Sequence, residues 1–337
     1  MPERTDPDVP GHDVIVIGAS AGGVELLLDL VPELPPSLPA AVLVVLHTSP
    51  MHASALPELL SSRGRLPAVH PLHGDALEHG KIYVAPPDAH LLVRPGTVEV
   101  VRGPRENGHR PAVDPLFRTA SWAYGPRVVG VVLSGHQDCG TAGMMSVKAR
   151  GGVAVVQAPE TASATEMPSS VLRRVEVDHV VHPLELPGLL ERLASEPAPA
   201  RGPGAPAAVE ALEGRRPGDA AGVVCPACHG ALTVASQGGL ELFRCHVGHA
   251  FTLDALLGAQ DEEVERALWA AVRALEESAR LNRRVAAHGG DPELHGRATE
   301  TSGTKLRQAD LLRRLLLEPV ERFKAADEAP EAEGPPR

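Results

Sequence analysis

Short apolar runs alternate with amphipathic helical patterns from residue 12 to about residue 195. The runs at 14–17, 41–46, 81–85, 90–94, 98–102, 128–133, 153–157 and 179–181 are dominated by Val, Leu, Ile and Ala and read as strands. Helical patterns fill 24–30, 53–61, 115–123, 141–150, 168–175 and 184–193. Continuous apolar strands alternating with helices predict an α/β domain with a doubly wound, mostly parallel sheet. The two runs flanking Pro95-Gly96 predict a small hairpin inserted into that sheet.

The pattern changes beyond 195. Residues 196–221 are rich in Pro, Ala and Gly, which is linker composition. A compact cysteine-containing module follows at 222–257. Residues 261–288 predict one long helix, with Val264, Leu268, Val272 and Leu275 at helical spacing and Gly289-Gly290 as its stop. A second amphipathic helix is expected at 305–324, so that 258–324 forms a helical region. Residues 1–11 and the acidic, Pro-rich 325–337 read as a disordered lead and tail.

Composition narrows the function classes. A chain of 337 residues suits more than one domain, and its 43% hydrophobic content supports a sizeable core. Aromatics make up only 2%, so Val, Leu, Ala and Ile must build that core. A formal net charge of -11 argues against nucleic acid as the main partner. The polar start and the lack of a long apolar run predict no membrane insertion and a cytoplasmic location. Four cysteines fit a reducing compartment better than a disulfide framework.

The first strand runs into Gly18-Ala19-Ser20-Ala21-Gly22-Gly23 and then a helix. A Gly-rich turn there can cradle a phosphate, expose a serine nucleophile, or simply pack strand on helix. The second strand ends in His47, where a dinucleotide-binding fold expects an acid. The ends of the first two strands are neighbours in such a sheet, so Ser20 and His47 can meet as nucleophile and general base. A third strand leads into Ser134-Gly135-His136-Gln137-Asp138-Cys139-Gly140. Asp138 there can orient the histidine or merely cap the next helix. Backbone N–H groups of this loop and of the Ser20 turn are candidates for an oxyanion hole.

These motifs together resemble the catalytic domain of the chemotaxis protein-glutamate methylesterases, the CheB type. The resemblance spans about 12–195 and rests on IGASAGG at 17–23, VVLH at 44–47, KIYVAPPD at 81–88, GPRENGHRPAVDPLFRTA at 103–120, VVLSGHQDCGTAGM at 131–144 and GGVAVVQAPE at 151–160. It implies hydrolysis of glutamyl methyl esters on the cytoplasmic helices of methylated receptors, sometimes with glutamine deamidation, and no catalytic cofactor. The family's serine and histidine fall on Ser20 and His47. Its aspartate falls on Cys139, and the nearest acid is Asp138, one residue earlier. Three outcomes are open: Asp138 serves, the enzyme is weak, or the domain is an adaptor that binds receptor tails without turnover. His109 and Arg110 are candidate substrate contacts, and Met167-Pro168 a candidate pocket rim. The family's usual receiver domain has no counterpart before residue 12, so regulation is expected in trans, by a separate response regulator or kinase, or through the C-terminal modules.

Cys225-Pro-Ala-Cys228 and Cys245-His-Val-Gly-His249 flank a Gly238-Gly239 hairpin signal. Two ligand pairs spaced C-x2-C and C-x3-H suit a closed, structural zinc site. His249 is preferred over His246 and His229, because neighbouring residues on one turn can hardly aim both side chains at one metal. The module resembles an extension that follows some esterase domains of this type.

Overall fold

The computed structural model describes residues 11–48, 53–200, 218–288 and 292–317. The expected lead, tail, helix stop at Gly289-Gly290, end of the last helix and most of the linker lie outside the described residues. Seven strands form the central sheet: β1 (Val14–Ala19), β2 (Ala41–Leu46), β3 (Ala68–Val69), β4 (Ile82–Val84), β7 (Val128–Val132), β8 (Val153–Gln157) and β9 (His179–Val181). Their order is β3-β4-β2-β1-β7-β8-β9, and every pairing is parallel. The predicted hairpin, β5 (His90–Arg94) and β6 (Thr97–Val101), makes its own two-stranded antiparallel sheet instead of entering the large one.

Both faces of the sheet are covered, which explains why its strands are apolar throughout. Alternation along each strand divides the core in two. Ile15, Ile17, Val42, Val44 and Val131 pack under α1 (Gly23–Leu30), α2 (Leu56–Arg63) and α6 (Leu186–Ser195). Val14, Val16, Leu43, Val45 and Val132 pack under the hairpin, α3 (Val113–Tyr124), α4 (Thr141–Lys148) and α5 (Glu166–Arg174). Aliphatic residues make up nearly all of both clusters, with Tyr83 and Phe117 buried in the second and Tyr124 packed against it.

The cysteine module is an antiparallel meander of β10 (Asp219–Val224), β11 (Ala231–Gln237), β12 (Leu240–Cys245) and β13 (Ala250–Thr252). Gly238 and Gly239 connect β11 to β12, and both have positive φ, as a tight hairpin requires. A small core of Leu232, Phe243, Phe251 and Leu256 surrounds Cys225 and Cys245. Leu240 and Leu242 bury themselves on Ala142 and Met145 of α4, so the module packs on the α/β domain. Contacts divide the chain into residues 1–259 and 260–337. The module thus shares a unit with the sheet, although composition pointed to a separate body.

α7 (Leu253–His288) starts eight residues before the predicted helix. In the second unit its later turns pair with α8 (Pro292–Leu317). Ala279, Ser302 and Ala309 are buried, and Ser302 Oγ donates to the Ala279 carbonyl at 2.9 Å. Small residues let the two backbones come close. Trp269 is 41% exposed. Among the described residues, no helix is long and apolar enough to cross a membrane.

Candidate functional site

Ser20 and His47 sit one residue beyond the last paired positions of β1 and β2, Ala19 and Leu46. His47 N–H donates to the Ala19 carbonyl at 3.1 Å, and Ser20 N–H donates to the Ser134 carbonyl at 2.9 Å. The third loop is thereby tied beside the serine turn. Gly22 occupies the left-handed region at φ 75°, where the chain reverses into α1. Gly135 faces Ser20, and a Cβ there would come within 2.8 Å of Ser20 Cβ and collide with the Met167 sulfur. Met167 is fully buried and donates its N–H to the Gly135 carbonyl, so it backs the serine from the far side of the loop.

Ser134 and Gln157 lock this turn in place. Ser134 Oγ donates to the Ala21 carbonyl at 2.6 Å and accepts from Ala164 N–H at 2.9 Å. Gln157 Oε1 accepts from Ser134 N–H at 2.8 Å. Several backbone donors are already used: Ser20, Gly23 and Gly135 bond to carbonyls, and Gln137 N–H donates to Glu166. Among the described residues, the N–H groups of Ala21, Gly22 and His136 have no partner, which makes them oxyanion-hole candidates.

The His47 ring lies under that of His109, with centroids 3.8 Å apart and planes 9° from parallel. Burial, with the neighbouring His109, holds the His47 pKa well below its ordinary value. The ring is therefore neutral at pH 7 and can accept a proton. Among the described residues, His47 Nε2 is buried with no hydrogen-bond partner. His109, one of two expected substrate contacts, is thus a partner of the histidine. Arg110, the other, is committed elsewhere: it donates twice to Asp88 Oδ1, at 2.7 and 3.0 Å, and to the Gly103 carbonyl.

Asp138 turns towards the cysteine module. Its carboxylate accepts from Thr252 Oγ1 of β13 at 2.6 Å, and among the described residues no contact joins it to His47. Adjacent residues on a turn point in different directions, and residue 138 points into the module. Residue 139 points into the core. Cys139 is fully buried, and its sulfur accepts from Val113 N–H at 3.4 Å. Asp114 N–H and the Asn107 side chain also approach that sulfur. Burial, with Asp114 close by, pushes the Cys139 thiol well above its ordinary pKa, so it stays protonated.

A buried polar network lies behind the third loop, and sequence reasoning missed it. Asp114 Oδ1 accepts from Gly140 N–H at 3.0 Å and Gly143 N–H at 2.7 Å, and Oδ2 accepts from Asn107 Nδ2 at 3.2 Å. Burial, then the nearby Glu106 charge, raises the Asp114 pKa to about 6. Glu106 takes two hydrogen bonds from Arg118 and lies 3.7 Å from Arg244 of β12. The available signal was the charged and amide residues inside 103–120, too polar for a buried stretch unless paired.

The second constellation forms as its spacing predicts. The ligand atoms of Cys225, Cys228, Cys245 and His249 lie within 4.8 Å of one another and could hold a metal ion. His229 and His246 are exposed and stand outside this group.

Comparison with known proteins adds an independent line. A family model described as CheB methylesterase matches residues 15–190. A Pyrococcus abyssi protein named protein-glutamate methylesterase/protein-glutamine glutaminase is 36% identical over 187 residues, 54% of this chain and 50% of its own length. A Leptospira interrogans relative is 33% identical over 183 residues, covering 54% of this chain and 95% of that relative. The crystal structure of the Thermotoga maritima CheB methylesterase catalytic domain matches with a TM-score of 0.52 and 32% identity, over 54% of this chain and 98% of that one. The chain spans about half the length of the first curated relatives it matches.

Proposed function

The chain belongs to the CheB methylesterase family, and from that premise we propose that it hydrolyses glutamyl methyl esters on the cytoplasmic helices of methylated chemoreceptors, with glutamine deamidation as a related reaction. The observation that supports this reading is the placement of Ser20 and His47 one residue beyond the paired ends of two adjacent parallel strands. His47 Nε2 takes the Ser20 proton as Oγ attacks the ester carbonyl, and the N–H groups near Ala21, Gly22 and His136 stabilise the oxyanion. Collapse of the tetrahedral intermediate expels methanol, protonated by His47, and leaves a glutamyl ester on Ser20. Water, deprotonated by His47, then releases the glutamate and restores the serine. With a glutamine side chain the leaving group is ammonia.

In this reading the base works without an orienting carboxylate, because Cys139 is a neutral thiol and Asp138 is bonded to Thr252. Loss of the aspartate from a serine-protease triad lowers turnover by about 10⁴, so slow hydrolysis is expected here. That same observation favours a second reading, an adaptor that binds receptor helices without turnover. The deciding experiment measures methanol release from a methylated receptor fragment by wild type and Ser20→Ala. Esterase activity requires slow release that Ser20→Ala abolishes. Equal inertness of both proteins, with binding retained, selects the adaptor.

Zinc is the metal proposed for the cysteine module. Tetrahedral zinc with bonds of about 2.3 Å to sulfur and 2.0–2.1 Å to nitrogen separates two sulfurs by about 3.8 Å, and sulfur from nitrogen by about 3.6 Å. The Cys228–Cys245 sulfurs are 3.6 Å apart, and His249 Nδ1 lies 3.7 and 3.6 Å from the sulfurs of Cys225 and Cys245. Four protein ligands close the site, so the metal would serve the fold of the module and not the reaction.

A further inference from the structure

The cysteine module touches the esterase domain at the two loops that flank Ser20 and His47. β13 follows directly on His249. Asn107 N–H donates to the Ala250 carbonyl at 2.7 Å, Thr252 N–H donates to Asn107 Oδ1 at 2.9 Å, and Ala250 N–H donates to the Arg105 carbonyl at 3.3 Å. These bonds fasten the loop that carries His109. Thr252 Oγ1 bonds Asp138 directly. Asn107 extends the same connection through Asp114 to Gly140 and Gly143. Thr252 is fully buried, and Asp138 is 3% exposed. On the other side of the metal ligands, Arg244 precedes Cys245 and faces Glu106.

We infer that Thr252 and Asn107 are positioning residues for the esterase, and that the metal-bound module holds the third loop and the His109 loop in their working places. This rests on the hydrolytic reading of the Ser20 site. The physical reason is polar satisfaction. A buried carboxylate without its donor gains by moving towards water, and in moving Asp138 would draw on the loop 134–140 that is bonded to Ser20. β13 is three residues long and follows a metal ligand immediately. Losing the metal frees its start, and small metal-stapled modules depend on their ion to stay folded.

The test uses the full chain in three forms: zinc-loaded wild type, wild type stripped with a chelator, and zinc-loaded Thr252→Val. Thr252→Ser, which keeps the hydroxyl, is the rescue control. Zinc per chain, amide hydrogen exchange at 134–143, and kcat and KM for ester hydrolysis are measured on each. Stripping the metal and Thr252→Val should each speed exchange in 134–143 about tenfold and lower kcat similarly with KM little changed. Thr252→Ser should retain both values, and Thr252→Val should keep its zinc. Unchanged exchange and kcat in zinc-loaded Thr252→Val overturn the inference, even where Ser20-dependent hydrolysis is robust. If wild type hydrolyses nothing, the esterase reading fails by itself, and the exchange measurement still decides whether the module positions the loop.

Discussion

His109 lies flat on His47, with ring centroids 3.8 Å apart. Stacking fixes the plane of the His47 ring, and burial beside a second imidazole keeps it neutral. Burial, followed by the charge of Arg105, depresses the His109 pKa too. A base with a depressed pKa stays unprotonated as pH falls, so the acid limb of kcat/KM should lie below pH ~6.5, the ordinary histidine value. His109→Ala removes the neighbour and admits water, which should move that limb up towards 6.5 and lower kcat about tenfold through a looser ring. Rate profiles from pH 4 to 9, with NMR titration of His47, check this. An unmoved acid limb would sink the idea.

Cys139 occupies a place furnished for a stronger acceptor. The N–H groups of Val113 and Asp114 and the amide of Asn107 converge on a sulfur that accepts only weakly. A carboxylate fits those donors better. Cys139→Asp should raise kcat between about 10 and 10³-fold, part of the loss seen when a triad acid is removed. Asp114 next to it pushes the new pKa up, so the gain should grow with pH. Identical rates for the variant and wild type at pH 6 and 8 would refute this.

The strand ends that carry Ser20 and His47 were legible because their logic is local. Each is an apolar β-branched run that stops at one polar residue, and parallel order makes neighbours of the first two strands. The grouping of Cys225, Cys228, Cys245 and His249 was legible for the same reason, since two pairs on two turns carry their own spacing. Asp138 was not legible. The partner of its carboxylate is Thr252, 114 positions away. The network of Glu106, Asn107 and Asp114 was hidden likewise, its partners lying on α3, the third loop and the module. The short β3, two residues long at the sheet edge, carries too little periodicity to be seen.

Gly143 lies where α4 packs tightly against α3. A Cβ there would lie 2.7 Å from Phe117 Cβ and 3.0 Å from Asp114 Cα, and the latter is backbone that cannot yield cheaply. Gly143→Ala should destabilise the protein by about 2 kcal/mol and slow hydrolysis by disturbing the Asp114 bonds to Gly140 and Gly143. Gly188, in α6, has open space around its Cβ position and should behave oppositely. Gly188→Ala should stabilise by about 0.5–1 kcal/mol with no change in rate. Urea denaturation of both variants tests the contrast, and a neutral Gly143→Ala would contradict the packing argument.

Glu106 ties the module to the esterase electrostatically, and its pH signature follows. Burial alone would raise its pKa, but the charges of Arg118 and Arg244 outweigh burial and bring it from 4.5 down to about 2. A carboxylate with a depressed folded pKa contributes stability that is fully present above about pH 4.5 and is lost as pH falls towards 2. A shift of this size corresponds to about 3 kcal/mol. Glu106→Gln should therefore destabilise the protein by about that amount at pH 7 and much less near pH 2. Asp114 moves the opposite way: its raised pKa costs stability as pH rises through about 6, and Glu106 contributes to that rise. Removing Glu106 should lower the Asp114 pKa and soften the loss of stability between pH 4 and 6. Unfolding free energies from pH 2.5 to 7 would expose both effects. A wild-type minus variant difference that stays constant with pH would mean that the Arg118 and Arg244 charges do not act on Glu106 as described.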